Sequence, residues 1–179
     1  TYSGTLHRLL STTDPVGRST SSTYDIKGNL LTSTDGAGYV TTYAVNSRGL
    51  TTSVTPPDPD GGGPLTSPIT TLAYDSNGRL VTVTNPDAST NTFTYNTADQ
   101  PLTAVDELGK TSSSVYDSLG RQTSQTNRIG ATETFTYDPL SRVVKKTDAL
   151  GIATDIEYNN RGWVSKVTYP DPDGAGPLT

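Results

Sequence analysis

The sequence predicts an all-β chain of antiparallel hairpins, and three observations carry that prediction. Tyrosines stand at positions 74, 95, 116, 137 and 158, a constant period of 21. Asn85, Asp106, Asn127 and Asp148 open four-residue turns at the same period, and the last three of these turns end at Gly109, Gly130 and Gly151. Between such landmarks the residues alternate. In Thr132–Tyr137, Glu133, Phe135 and Tyr137 share one side and Thr132, Thr134 and Thr136 the other, which is the period of two of a strand. Repetition at a fixed period marks an architecture in which each repeat is one supersecondary unit.

Taken in order, Thr1–Gly17 is a partial unit with Tyr2 as its landmark and Asp14-Pro15-Val16-Gly17 as its turn. The spacing slips once, since Tyr24 falls one place later than the period would put it after Tyr2. The next unit runs from Tyr24-Asp25-Ile26-Lys27-Gly28-Asn29-Leu30 to the turn Asp35-Gly36-Ala37-Gly38. In the third unit Val45 takes the tyrosine place, Tyr43 stands two residues earlier, and Gly49 keeps the register. The pattern is then interrupted from Pro56 to Pro64 by a loop rich in Pro, Asp and Gly, and resumes at Tyr74. The interruption returns at 169–177, and the step from Asp58 to Asp171 is five periods of 21 plus 8. The expectation is a single array over residues 1–179 with a 113-residue super-repeat, an excerpt of a longer polypeptide.

Within each unit a strand ending at the tyrosine leads into turn chemistry such as Asp75-Ser76-Asn77-Gly78 or Asp117-Ser118-Leu119-Gly120. Asp and Asn bond their own backbone there, and Gly supplies a positive φ. A second strand follows, as in Arg79–Thr84, and a second turn closes the unit. Two strands of about six residues, each some 20 Å long, make a hairpin. No segment carries a helical stripe. An isolated hairpin is marginal, so units are expected to pair edge to edge in one continuous antiparallel sheet that twists and then curls or closes. Tyr with Leu or Val should form ladders on one face, and Thr and Ser should cover the other.

Composition agrees with a thin or discontinuous core. Only 31% of residues are hydrophobic, yet the net charge is just −5, so periodicity rather than disorder explains the polarity. Cysteine is absent, which excludes disulfides and leaves hydrogen-bond ladders to hold the chain. No apolar run approaches the roughly 18 residues of a membrane span. A pI near 4.7 with scattered charges argues against nucleic acid as a partner.

Tyr74-Asp75-Ser76-Asn77-Gly78-Arg79-Leu80, Tyr116-Asp117-Ser118-Leu119-Gly120-Arg121 and the unit from Tyr24 resemble the YD repeat, YDxxGRL, of RHS-type proteins, and the likeness covers nearly the whole chain. Two units depart from it. Tyr95-Asn96-Thr97-Ala98-Asp99 lacks the usual Asp and Gly, and Tyr137-Asp138-Pro139-Leu140-Ser141-Arg142 has Ser for Gly; both turns are expected to be less tight. The resemblance implies a β-sheet spiralling into a hollow tube or shell, as in bacterial polymorphic toxins, insecticidal toxin-complex components and teneurin adhesion proteins. It implies a large secreted or surface-bound protein, extracellular or at the cell surface. The function expected is structural and non-catalytic: a filament, tube or enclosing shell. The alternatives are an adhesion or carbohydrate-binding module and a toxin-encapsulating shell.

No residue is assigned a catalytic, cofactor-binding or metal role, and no cofactor is expected. His7, the single histidine, has no nucleophile placed near it and reads as a surface residue. The Asp of each YD turn reads as a turn former because it recurs. Asp58-Pro59-Asp60-Gly61 and Asp171-Pro172-Asp173-Gly174 begin as calcium loops do, yet lack the further acidic ligands and the Glu at the twelfth position. They read as stiff surface turns. The tyrosine ladder reads as cross-strand packing rather than a sugar platform. Trp163, at a second-strand start, reads as core filler or a local cap. The partners expected are neighbouring repeats and other copies through sheet edges, with an enclosed cargo or a glycan as further candidates.

Overall fold

A computed structural model describes residues 1–2, 8–63 and 65–170. His7 and the second Asp-Pro-Asp-Gly loop lie outside these residues. The chain forms two compact units, Thr1–Asn91 and Thr92–Thr179. The first holds β1 (Ser11–Thr13), β2 (Ser19–Tyr24), β3 (Leu30–Thr34), β4 (Val40–Val45), β5 (Thr51–Thr55), β6 (Thr70–Tyr74) and β7 (Leu80–Thr84). Next comes β8 (Thr90–Tyr95), across the boundary; the second unit continues with β9 (Pro101–Val105), β10 (Thr111–Tyr116), β11 (Gln122–Thr126), β12 (Thr132–Tyr137), β13 (Val143–Thr147), β14 (Ala153–Tyr158) and β15 (Val164–Thr168). In each unit every strand pairs antiparallel with its neighbours in sequence. Among the described residues there is no helix.

Both turns of a repeat use one device. In the YD turn of β10 and β11 the Gly120 amide donates to the Asp117 carbonyl at 3.0 Å, and the Asp117 amide donates to the Arg121 carbonyl at 2.9 Å. The turn between β9 and β10 repeats this, with Gly109 to Asp106 at 2.9 Å and Asp106 to Lys110 at 3.0 Å. This is a type I turn closed by a left-handed residue. The carboxylate completes it: Asp117 Oδ1 accepts the amides of Leu119 and Arg121, both at 2.9 Å. An asparagine serves equally well, since Asn127 Oδ1 accepts the amides of Ile129 and Ala131 at 3.0 Å each.

Of the two turns expected to be looser, the one at Ser141 is as tight as the others and the one at Asp99 is slightly longer. Asp99 and Ser141 take the glycine place at φ 61° and 62°. Their amides still close the turn, Asp99 to Asn96 at 3.2 Å and Ser141 to Asp138 at 3.0 Å. The Asx side chain dictates the turn, and a non-glycine residue accepts the left-handed conformation under that constraint. Ala88 does the same at φ 67°.

A further regularity has no mark in the sequence. The register slips by one residue just before each tyrosine place, between Thr23 and Tyr24, Ala73 and Tyr74, Val115 and Tyr116, Thr136 and Tyr137, and Glu157 and Tyr158. Each YD hairpin therefore carries a β-bulge at the same place, where local twist increases.

The predicted ladders are present with interruptions. Tyr43 faces Val54, Leu72 faces Val83, Phe93 faces Ala104 and Ile156 faces Val167. On the other face, threonine hydroxyls meet across strands, Thr23 with Thr32 and Thr94 with Thr103, both at 2.6 Å. The apolar ladder breaks where Ser114 faces Gln125 and where Lys146 faces Phe135. At the first break lies a shallow cavity of about 100 Å³, lined by Phe93, Leu102, Ala104, Ser112, Ser114 and Gln125. Among the described residues no hydrophobic side chain is fully buried. The thin core expected from composition is thus a half-buried stripe and nothing more.

The interruption after β5 leaves pairing intact. Val54 still faces Thr70 and Ser53 still faces Thr71, so the loop replaces a tight turn without breaking the sheet.

Ala88 and Gly109 occupy equivalent places one period apart, and a Cβ at Gly109 would meet nothing within 4 Å, so only backbone conformation separates them. Gly109→Ala is expected to cost about 1 kcal/mol and Ala88→Gly to gain a similar amount. Urea unfolding checks this through the midpoint, at unchanged m-value.

Candidate functional site

The feature that recurs along the chain is a staple between consecutive hairpins, built from the Tyr, Asp and Arg of the repeat. Tyr24, Tyr74, Tyr116, Tyr137 and Tyr158 each end a first strand and bond back to the segment before it. The hydroxyl donates to a carbonyl there: Tyr116 to Pro101 at 3.1 Å, Tyr137 to Gln122 at 2.7 Å and Tyr158 to Val143 at 2.8 Å. Tyr24 reaches Leu9 at 3.1 Å in the same way. Across the loop, Tyr74 still finds the equivalent acceptor, the Thr51 carbonyl, at 2.8 Å.

The arginine closes the contact from the other side. Arg121 Nε donates to Asp117 Oδ2 of its own turn at 2.7 Å. That pairing holds the guanidinium over the next tyrosine, with Cζ 4.7 Å from the centre of the Tyr137 ring. Its Nη1 donates onward to the Asp138 carbonyl at 3.0 Å, in the turn of the next hairpin. Arg142 repeats the pattern, 2.7 Å from Asp138 Oδ2 and 4.5 Å from the Tyr158 ring. A planar, delocalised cation suits this place because it can pair with a carboxylate and stack on an aromatic face at once.

Where the arginine is missing, another long donor spans the gap. Gln100 Nε2 donates to the Gly120 carbonyl at 2.7 Å, Arg48 Nη1 to the Ser76 carbonyl at 2.7 Å, and Lys27 Nζ to the Ser47 carbonyl at 3.4 Å. The last two start from the third residue of their turns and the arginines of the motif from the fifth, so two sequence positions serve one task.

The YD-turn aspartates Asp25, Asp75, Asp117 and Asp138 titrate below the ordinary carboxylate range. For Asp117 the Arg121 side chain is the leading cause and the Arg121 amide the next. For Asp75 and Asp138 the leading cause is the backbone amide of Arg79 and of Arg142 respectively. A carboxyl group with a lowered folded-state pKa contributes stability above its unfolded value of about 3.9, and loses it as pH falls through the folded value.

The remaining sequence candidates sort as follows. Asp58 and Asp60 spend their carboxylates on the loop: Asp58 Oδ1 accepts the Asp60 amide at 3.2 Å and Asp60 Oδ2 accepts the Leu65 amide at 3.1 Å. Among the described residues, no three His, Cys, Asp or Glu side chains group as metal ligands. Trp163, read as core filler or a local cap, stands immediately before β15 and is 64% exposed among the described residues. Its amide donates to Asn159 Oδ1 at 3.0 Å, and the Arg161 guanidinium lies 5.6 Å from its ring. Cross-strand pairs such as Lys146 with Glu133 at 3.0 Å are exposed and contribute little. What reading the residues alone missed is the arginine. Its fixed distance from the following tyrosine was the available signal.

Tyr137→Phe keeps the ring and removes the bond to Gln122, and is expected to cost about 1 kcal/mol. Combined with Arg121→Ala in a double-mutant cycle, it tests the ring separately from the hydroxyl. Tyr137→Ala and Arg121→Ala should couple by about 0.5–1 kcal/mol, whereas Tyr137→Phe and Arg121→Ala should couple more weakly. Unfolding followed against pH gives a further check. Stability should fall as pH drops below about 4, and Asp117→Asn, which keeps the turn acceptor and loses the ion pair, should flatten that decline where Asp117→Ala also loosens the turn.

Comparison with known proteins places this geometry. A family model described as the RHS Repeat matches residues 5–42, 74–111 and 116–153, together more than half of the chain. No curated protein sequence matches. Among solved structures, the chain resembles TcdB2-TccC3-Cdc42 at 17% identity and a TM-score of 0.66, over 90% of this chain and 9% of that one. It resembles TcdB2-TccC3 at 17% identity and a TM-score of 0.66, over 90% of this chain and 10% of that one. A Photorhabdus luminescens Tc holotoxin pore aligns at 16% identity and a TM-score of 0.50, over 96% of this chain and 11% of that one. At such identities the likeness is one of fold, and the chain spans about a tenth of the length of each of these relatives. With its hairpin period, its YD turns and the matched segments together, the chain belongs to the RHS repeat family.

Proposed function

We propose that this chain is a non-catalytic wall segment of a larger RHS-repeat protein, in which the array winds into a hollow tube or closed shell outside the cell or at its surface. One observation carries the reading. The sheet has no fully buried hydrophobic side chain among the described residues, and the same staple links one hairpin to the next. A sheet held together by neighbour contacts can be lengthened without limit and leaves both faces open. Such a sheet suits enclosing or spanning better than converting a substrate.

One of the similar structures is a Tc holotoxin pore, which favours a shell around cargo as the more specific form. The super-repeat, in which the Pro/Asp/Gly loop at Asp58 recurs at Asp171, favours a long tube in which loops line up at a fixed place. Association through sheet edges serves either form.

Electron cryo-microscopy of the polypeptide that contains this segment separates them. A wall one sheet thick around a cavity is expected. Density inside a closed particle assigns the capsule, an open filament assigns the tube, and a solid domain with no lumen contradicts both.

A further inference from the structure

Asn77-Gly78 is the one Asn-Gly pair in the sequence, and that pair carries a chemistry of its own. Glycine has no Cβ, so its amide nitrogen can approach the asparagine side chain closely. When the Gly78 nitrogen attacks Asn77 Cγ, the new N–C bond closes a five-membered succinimide and ammonia leaves. Water then opens the ring at either carbonyl, giving aspartate or isoaspartate. The sum is one water consumed and one ammonia released, with nothing oxidised or reduced.

The pair fills the third and fourth places of the YD turn between β6 and β7, within the first unit. Asn77 is exposed, and among the described residues only its backbone amide is engaged, donating to Asp75 Oδ1 at 2.9 Å. The carboxamide is thus open to attack. The attacking nitrogen is not free to make it: the Gly78 amide donates to the Asp75 carbonyl at 3.0 Å. Asp75 Oδ1 also accepts the Arg79 amide at 3.0 Å, so a carboxylate stands inside the same turn. An amide must shed its proton to become a nucleophile, and a proton already donated beside a negative charge is held. The closed turn protects the pair.

Part of what keeps that turn closed comes from the hairpin before it. Arg48 Nη1 donates to the Ser76 carbonyl at 2.7 Å, and a Cβ on Gly78 would stand 3.0 Å from the Arg48 guanidinium and 3.4 Å from Leu50. Strand pairing is short at this junction. β5 and β6 share two residue pairs, Ser53 with Thr71 and Val54 with Thr70, whereas β3 and β4 share three and β4 and β5 share four. Local opening is easiest where few contacts hold a segment. We propose that Asn77 is a site of spontaneous deamidation, gated by opening of the β6–β7 hairpin. Isoaspartate routes the main chain through the former Cβ and so lengthens the turn by one backbone atom. The turn then no longer closes on Asp75, and the Ser76 carbonyl leaves the reach of Arg48. The junction after the Pro/Asp/Gly loop thereby loses its staple as the protein ages.

The test incubates the 179-residue chain in mildly alkaline buffer and maps it by mass spectrometry, with fragmentation that separates aspartate from isoaspartate. Conversion at Asn77 should be at least an order of magnitude slower in the folded chain than in the same chain held in urea. Arg48→Ala should speed it several-fold while strand content by circular dichroism is kept. The isoaspartyl product should unfold at a lower urea midpoint than Asn77→Asp, which carries the same charge on an ordinary backbone. Equal rates in the folded and unfolded chains would overturn the gate, a comparison that stands whether or not Arg48→Ala folds. A folded Arg48→Ala chain that reacts no faster than its parent would overturn the part given to the arginine. No conversion at Asn77 in urea would overturn the site itself, and an isoaspartyl chain as stable as Asn77→Asp would overturn the loss of the staple. None of these results bears on the shell reading.

Discussion

The contact on which this protein depends is the one between the tyrosine of each hairpin and the turn of the hairpin before it. A sheet without a buried core cannot draw its cohesion from a packed interior, because each half-exposed Leu, Val or Phe contributes only part of the roughly 1.5–3 kcal/mol that full burial would supply. What replaces the core is a set of small contacts, each between adjacent units: a phenol bonded to a carbonyl, a ring under a guanidinium, a guanidinium locked to its own aspartate. Hydrogen bonds of this kind contribute about 1 kcal/mol each, and regular repetition makes that sufficient.

The aspartate of the YD turn ties local to long-range order. One of its oxygens satisfies two amides of the turn, which determines the hairpin; the other orients the arginine, which determines how the next hairpin sits. Asparagine at Asn46, Asn127 and Asn159 does the first task. The second is then absent or passes to another residue, such as Arg48. The turn can therefore tolerate change that the junction cannot, and the arginine moves between the third and fifth places of the turn as the junction requires.

Much of this was legible in the sequence because the constant tyrosine period and the Asx–Gly turns are local signals. Strand existence, hairpin pairing, the two faces and the thin core all follow from alternation and turn chemistry. Four features were not. Asp99 and Ser141 read as weaknesses because φ preference alone disfavours them there, and the Asx side chain that overrides it lies elsewhere in the turn. The bulges opposite the tyrosines left no trace, since the residues beside them are the same Thr, Val and Ser used elsewhere in the strands. Trp163 read as core filler or a local cap, and its 64% exposure among the described residues was not legible at a place where other units carry Arg or Gln. The role of the arginine spans two units, and no window confined to one unit displays it.

The central claim is that stability resides in contacts between neighbours rather than in a shared core, and excision of one whole repeat tests it most directly. Removing residues 111–131 joins Lys110 to Thr132, which occupies the place of Thr111 in the period. If cohesion is local, the shortened chain should fold with the same strand signature, and its m-value should fall by about one-eighth, in proportion to the sheet removed. A chain that loses its cooperative transition altogether would show that the hairpins depend on a common interior, and would contradict the account.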